Sequence, residues 1–451
     1  MASKSSTFAS AINTAVQVGA PGNLGQLLIV AAVACTALAG CAGVARNPVP
    51  EELANVAEPF GREGLRAWGD ALSEADIETI IAQQGPVLRA RFGAELEAGP
   101  IPTLHYLALS GGGQWGAFAA GILDAWTDEG TRPDFFGVSG VSTGAIIAPF
   151  AFLGPDYDDT LYEIYSRYDT EDLVESTFIS GLISGAALSD TGRLRQVIAR
   201  YITPELLEAI AAEHRKGRIL HIGTTNIDAG RPVIWNIGEI AASGEPGALE
   251  LVRELIRASA AIPVALPPVL VPVETPDGRV YDEMHVDGGA SSQVTFVSPE
   301  LPIAEATRRI LGQNLDRRLW VIVNNDLAPP HQTLRPRITD IGEAAVSSLI
   351  RGSGVGDVYR LYAIAQRDEI DLKVTWIPSE IPCAKPEEEF DRAFMRCLYG
   401  HAGDLFRGGQ LWRNTPPFFT ASSADLTYDT SDIDWGSTTW WYRFFCQNQM
   451  I

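Results

Sequence analysis

Positive charge is what this chain is short of. Its 451 residues carry 34 Lys and Arg against 56 Asp and Glu, a net charge of -22. Such a surface repels phosphate backbones, which excludes nucleic acid as a partner. It also disfavours electrostatic docking on anionic lipid, so any membrane contact has to come from apolar surface or a covalent anchor. Cysteine is scarce, with five in all, and their spacing matches no metal site; neither a metal nor a cofactor is expected. Histidine numbers six. The apolar run at residues 27–39 falls short of the roughly 20 residues that a membrane-spanning helix needs. What is present is a 46% hydrophobic composition, enough to build one large α/β domain with additions or two average domains.

Residues 1–41 have the form of an export signal: a polar lead with the lone positive charge of Lys4, then the apolar run, then Leu38-Ala39-Gly40-Cys41. That ending resembles a bacterial lipobox. The resemblance implies cleavage before Cys41, lipid attachment to Cys41 and, because Ala42 rather than Asp follows, an outer-membrane address like that of Gram-negative lipoproteins. The n-region is long and nearly uncharged, unlike the usual pattern, which keeps a non-lipidated secretory signal and a short membrane anchor as alternatives. Export leaves Cys383, Cys397 and Cys446 in an oxidising compartment. Cys383 and Cys397 bracket a short charged segment that a disulfide between them would close, with Cys446 left over. Residues 42–100 read as a proline-punctuated tether, with Pro48, Pro50 and Pro59, and then a helical segment. That helix starts at the capping pattern Ser73-Glu74-Ala75-Asp76 and continues with Ile77, Ile80 and Ile81 at helical spacing.

Three stretches carry chemistry. The first is a buried strand, 104–109, that runs into Ser110-Gly111-Gly112-Gly113-Gln114-Trp115-Gly116 ahead of a helix at 117–128. Glycines between a strand and a helix start leave backbone N–H groups converging on an anion or oxyanion site. Gly111, Gly113 and Gly116 also fit the dinucleotide fingerprint literally, with Asp134 as the ribose acid. A serine turn on the next strand argues against that cofactor. This second stretch, Gly140-Val141-Ser142-Thr143-Gly144, lies between an apolar strand and an Ala/Ile-rich helix, the spacing of a nucleophile elbow. Neighbouring strands would set it beside the glycine loop. The third is a strand at 279–286 ending in Asp287-Gly288-Gly289, a positioned carboxylate backed by glycines.

In this order, and with Ala258-Ser259-Ala260-Ala261-Ile262-Pro263 leading to Pro267-Pro268 between the second and third, these stretches resemble the patatin-like phospholipase family over roughly residues 101–300. The resemblance implies a three-layer α/β/α sandwich with a mainly parallel central sheet, and a Ser-Asp dyad with no essential histidine. It casts Ser142 as nucleophile, Asp287 as base and Gly111, Gly112 and Gly113 as the oxyanion hole. It also implies a lipid or acyl-ester substrate. One position departs from the family: Trp115 stands where an Arg or Lys is usual before the last glycine, which removes a fixed positive charge near the oxyanion. Two other readings remain. One is a general carboxylesterase with a Ser-His-Asp triad, built on His331 or on His285, which shares a strand face with Asp287. The other is a catalytically silent lipid-binding lipoprotein.

Residues 101–420 are read as the hydrolase domain. Within it, 178–185 is an apolar, glycine-containing stretch suited to a lid or to an inner loop, and 219–225 with 231–236 forms a hairpin. The distal half adds strands at 319–324 and 372–377 and helices at 341–367 and 390–412. Residues 421–451 form a C-terminal tail of unknown role, acidic first and then rich in aromatics from Trp440 to Phe445.

Overall fold

The computed structural model describes residues 46–419, apart from 174, 177–188, 191, 264, 330, 332, 385 and 387. The export signal with Cys41, the stretch at 178–185 and the tail at 421–451 therefore lie outside the described residues. Nine strands form one sheet: β1 (Arg66–Trp68), β2 (Leu104–Leu109), β3 (Phe135–Val141), β4 (Ile219–Asn226), β5 (Arg231–Asn236), β6 (Val269–Glu274), β7 (Val280–Asp287), β8 (Arg317–Val323) and β9 (Ile370–Trp376). Their order is β1-β5-β4-β3-β2-β8-β9, and β7 pairs with both β4 and β6. The central run β4-β3-β2-β8-β9 is parallel throughout.

Alternation along the strands divides the core into two layers. Leu107 and Leu109 of β2 join one cluster, and Tyr106 and Ala108 join the other. The second cluster takes in Phe92 of α1 (Glu74–Ala98). On the first side lie α2 (Ala117–Asp128), α3 (Thr143–Leu153), α4 (Ala248–Ser259) and, past the second layer's α5 (Ile338–Arg367), α6 (Arg392–Arg407). The result is the α/β/α sandwich that the sequence implied. α1 opens with the capping box its sequence promised, each of Ser73 and Asp76 accepting from the other's backbone N–H. α6 is shorter than the 390–412 expected, because Gly408 and Gly409 end it, Gly409 with φ 73°. Cys397 in α6 is joined to Cys383 by a disulfide.

Two features of the topology matter for the site. β4 gives one edge to two strands in succession: β3 pairs with Ile219 to Gly223, and β7 pairs with Thr224 to Asn226 from the opposite direction. The carboxyl ends of β3 and β7 therefore meet, with Val141 opposite Gly223 and Asp287 opposite Thr224. The described part of the expected tether, moreover, is bound rather than free. Arg46 pairs with Asp228, Asn47 donates to the Val280 carbonyl at 2.8 Å, and Glu58 exchanges backbone hydrogen bonds with Glu274. Among the described residues no helix is long and apolar enough to cross a membrane.

Candidate active site

Ser142 follows directly on β3 and caps α3 with φ 55° and ψ -122°. That is a left-handed conformation which a non-glycine residue adopts only when its surroundings enforce it. They do so here: the Ser142 N–H donates to Ser259 Oγ at 2.9 Å, and that hydroxyl donates in turn to the Gly223 carbonyl at 2.6 Å. At Gly144 a Cβ would overlap the Leu109 carbonyl, so the turn closes only with glycine there.

Asp287 meets the serine. Ser142 Oγ donates to Asp287 Oδ2 at 2.6 Å, and the Gly289 N–H donates to Asp287 Oδ1 at 2.7 Å. Both side chains are buried, at 6% and 5% exposure. Burial pushes the Asp287 carboxyl up to about 6 against the pull of its two hydrogen bonds, from an ordinary value of 3.8. A carboxylate with that value is basic enough to accept a proton near neutral pH.

The glycine loop lies against the serine, since a Cβ on Gly111 would sit 3.1 Å from the Ser142 Cβ. Its carbonyls are tied back into the protein. Asn324 Nδ2 donates to the Ser110 carbonyl at 3.0 Å, Asn325 Nδ2 to that of Gly111 at 3.1 Å, and the Trp115 N–H to that of Gly112 at 3.0 Å. The three expected oxyanion donors prove unequal. The Gly111 N–H is spent on the Gln293 carbonyl at 3.0 Å, whereas the N–H groups of Gly112 and Gly113 have no acceptor among the described residues. Gly112 has φ 151°, and a Cβ there would overlap the Asn324 carbonyl. The Trp115 ring packs edge to face on Phe394 of α6, with centroids 4.8 Å apart.

Neither candidate histidine reaches the pair. His285 is fully buried, with Nδ1 2.9 Å from Thr224 Oγ1 and Nε2 3.1 Å from Glu283 Oε2. Trp235 Nε1 donates to the same Thr224 hydroxyl at 2.7 Å. The Glu283 carboxylate can only accept, so Nε2 carries the hydrogen and, in the neutral ring, Nδ1 accepts from the Thr224 hydroxyl. Burial pushes the imidazole down and outweighs Glu283. Both nitrogens are thus committed within a chain that ends at the Arg66–Glu283 ion pair. His331 is exposed and makes no hydrogen bond to Ser142 or Asp287 among the described residues.

Several residues that support the site escaped the sequence reading. Ser259 lay inside a motif block without a role of its own. Asn324 and Asn325 stood at the end of a strand. Asp357 of α5 accepts from the backbone N–H groups of Gln293, at 2.5 Å, and Val294, at 3.2 Å, which fixes the carbonyl that occupies Gly111. Among the described residues no group of three or more His, Cys, Asp or Glu side chains converges as metal ligands do.

No curated protein matches the chain by sequence. Solved structures similar to it include VipD from Legionella pneumophila, at 12% identity over 68% of this chain and 67% of that one, with a TM-score of 0.31. Human GIVD cytosolic phospholipase A2 aligns at 10% identity over 64% of this chain and 51% of its own, with a TM-score of 0.24. ExoU from Pseudomonas aeruginosa, solved with SpcU, aligns at 14% identity over 70% and 54%, also with a TM-score of 0.24. This chain thus spans about half the length of the last two. Identities and scores this low give no residue-by-residue correspondence. The model of the family described as patatin-like phospholipase matches residues 107–299, a span that holds the glycine loop, Ser142 and Asp287. Residues 107–299 of this chain are a patatin-like phospholipase domain.

Proposed function

We propose that the protein is a serine acyl-lipid hydrolase in which Ser142 and Asp287 act as a dyad. The observation that carries the reading is the 2.6 Å hydrogen bond from Ser142 Oγ to a buried carboxylate raised to about 6. Asp287 takes the hydroxyl proton as Oγ attacks the ester carbonyl, and the tetrahedral oxyanion forms against the free N–H groups of Gly112 and Gly113. Collapse of that intermediate breaks the ester C–O bond, and Asp287 returns its proton to the departing alcohol. Water, activated by the same carboxylate, then cleaves the acyl-serine. The family's description supports acyl lipids as the substrate class.

Ser142→Ala and wild type are to be compared on acyl esters of graded chain length and head group, and with a fluorophosphonate that labels reactive serines. Wild type is expected to be labelled once, at Ser142, and to turn over long-chain esters; the variant is expected to do neither. Equal turnover by the two proteins on every ester would refute the assignment.

The proposal extends to location, with the chain exported and held at the outer membrane by a lipid on Cys41. Arg46, already bound to Asp228, follows five residues after Cys41. The free reach between lipid and domain is then at most roughly 18 Å. Loss of metabolic acyl labelling in Cys41→Ala tests the anchor.

A further inference from the structure

α5 is one continuous helix with two apolar faces. In its second half Val358, Leu361 and Ala365 are buried in the core. In its first half Ile338, Ile341, Val346 and Leu349 are exposed, Ile338 at 92% and Leu349 at 72%. Their spacing, with Ala345 between them, puts these residues on a single stripe. From Leu349 to Val358 is about two and a half turns of helix, so Ile338, Ile341 and Leu349 point to the side opposite the core, while Val346, about five turns before the buried Ile364, lies toward the core side. The exposure of Ile338, Ile341 and Leu349 is therefore not a core contact overhanging the end of the domain. It is a second amphipathic face with no partner among the described residues.

The core side of the same helix passes the candidate active site. A Cβ on Gly354 would sit 3.9 Å from the Gln293 side chain, and Gln293 Oε1 lies 3.4 Å from the Cβ position of Gly111, against Ser142. Asp357 locks the helix to that loop. At 1.5 Å per residue, the stripe from Leu349 to Ile338 runs from roughly 8 to roughly 24 Å beyond Gly354. Whatever covers the stripe lies on the same helix that backs the Ser142 loop.

We propose that this half of α5 is an arm that lies in the surface of a lipid bilayer and brings the site to its substrate. The inference rests on the acyl-lipid hydrolase reading above. Charge chooses among occupants. A chain of net charge -22 is repelled by a second copy of itself and by anionic lipid, so docking has to use apolar area. Residues 331–356 balance Arg335, Arg337 and Arg351 against only Asp340 and Glu343, so this segment does not share the acidic excess of the whole chain. A neutral phosphatidylcholine surface suits an uncharged stripe of branched aliphatics.

Hydrogen exchange of the full chain, with and without phosphatidylcholine vesicles, is the direct test. Amides of residues 338–350 are expected to exchange readily without vesicles and to be protected with them. The double variant Val346→Asp, Leu349→Asp is expected to lose that protection and to hydrolyse vesicle lipid at least about tenfold more slowly, while its rate on a monomeric short-chain ester stays within twofold of wild type. Vesicle protection that survives in the double variant would overturn the arm. So would protection of 338–350 before any vesicle is added, since another segment or a second copy would then cover the face. Failure of wild type to cleave any ester would count against the hydrolase reading instead, and the exchange experiment would still report on the arm.

Discussion

Asp287→Asn should make the protein inactive and, at alkaline pH, more stable. The carboxyl stands at about 6 in the folded chain against an ordinary 3.8. At 1.36 kcal/mol for each tenfold change in proton affinity, that gap is worth about 3 kcal/mol. The sign follows from a raised acid. Below about pH 3.8 the group is protonated folded and unfolded alike and costs nothing. As the pH climbs, the unfolded chain ionises first and gains, until at about pH 6 the folded carboxyl has ionised too and the full penalty is in force. Asparagine carries no such penalty. Its amide oxygen can still accept from the Gly289 N–H, and its NH2 can donate to Ser142 Oγ, so both bonds made by Asp287 keep a partner. Because asparagine and the protonated acid make comparable neutral hydrogen bonds, the variant should gain about 3 kcal/mol at pH 8 and only about 0.5 kcal/mol at pH 4. Calorimetric melting of both proteins at the two pH values reads this out, with a rise of a few degrees at pH 8 and a much smaller one at pH 4. The same ionisation should give wild type a kcat/KM that climbs with pH through an inflection near 6. If the variant is no more stable at pH 8 than at pH 4, relative to wild type, burial is not what raises Asp287 and the reasoning fails.

Three further outcomes are expected. His285→Ala should cost roughly 1–3 kcal/mol in a urea titration, because Glu283 and Thr224 lose a buried partner, yet leave kcat within a few-fold; a loss as deep as that of Asp287→Asn would reinstate a triad. Ser259→Ala strands the Ser142 N–H and the Gly223 carbonyl, so kcat should drop roughly tenfold with KM little changed, since the nucleophile loses its position rather than its chemistry. Replacing Cys383 and Cys397 by serine removes the disulfide that closes a separation of 14 residues, and the loop-entropy model puts the loss at about 3 kcal/mol, measurable as a lower urea midpoint with activity retained under native conditions.

The site was most legible where its geometry needs glycine. Ser142 and Asp287 announce themselves because a sharp strand-to-helix turn and a strand-ending carboxylate both require glycines at fixed offsets. The sandwich was implied by the family resemblance of the motif stretches, and the hairpin of β4 and β5 was legible from Asp228-Ala229-Gly230. What stayed hidden depends on partners distant in sequence. Asp357 reaches back 64 residues to Gln293, and Asn324 reaches back 214 residues to Ser110; neither residue type is unusual where it stands. The demotion of Gly111 could not be foreseen either, because a backbone carbonyl carries no sequence signal. Arg66, Glu283 and His285 come together only through the antiparallel pairings of β1, β5, β4 and β7, which draw them into one buried chain. In α5, one unbroken helical pattern concealed that apolar residues of its first half stay exposed while those of its second half are buried.

The edge of β4 that β3 and β7 divide between them also has a consequence for biogenesis. Ser142 and Asp287 are 145 residues apart, and the second becomes available only when β7 has added itself beyond the end of β3. A chain that ends before residue 280 lacks β7 and Asp287. A slip of β7 by one residue against β4 would turn Asp287 to the other face of the sheet. Formation of the Ser142–Asp287 pair therefore waits on the registry of β7 against β4.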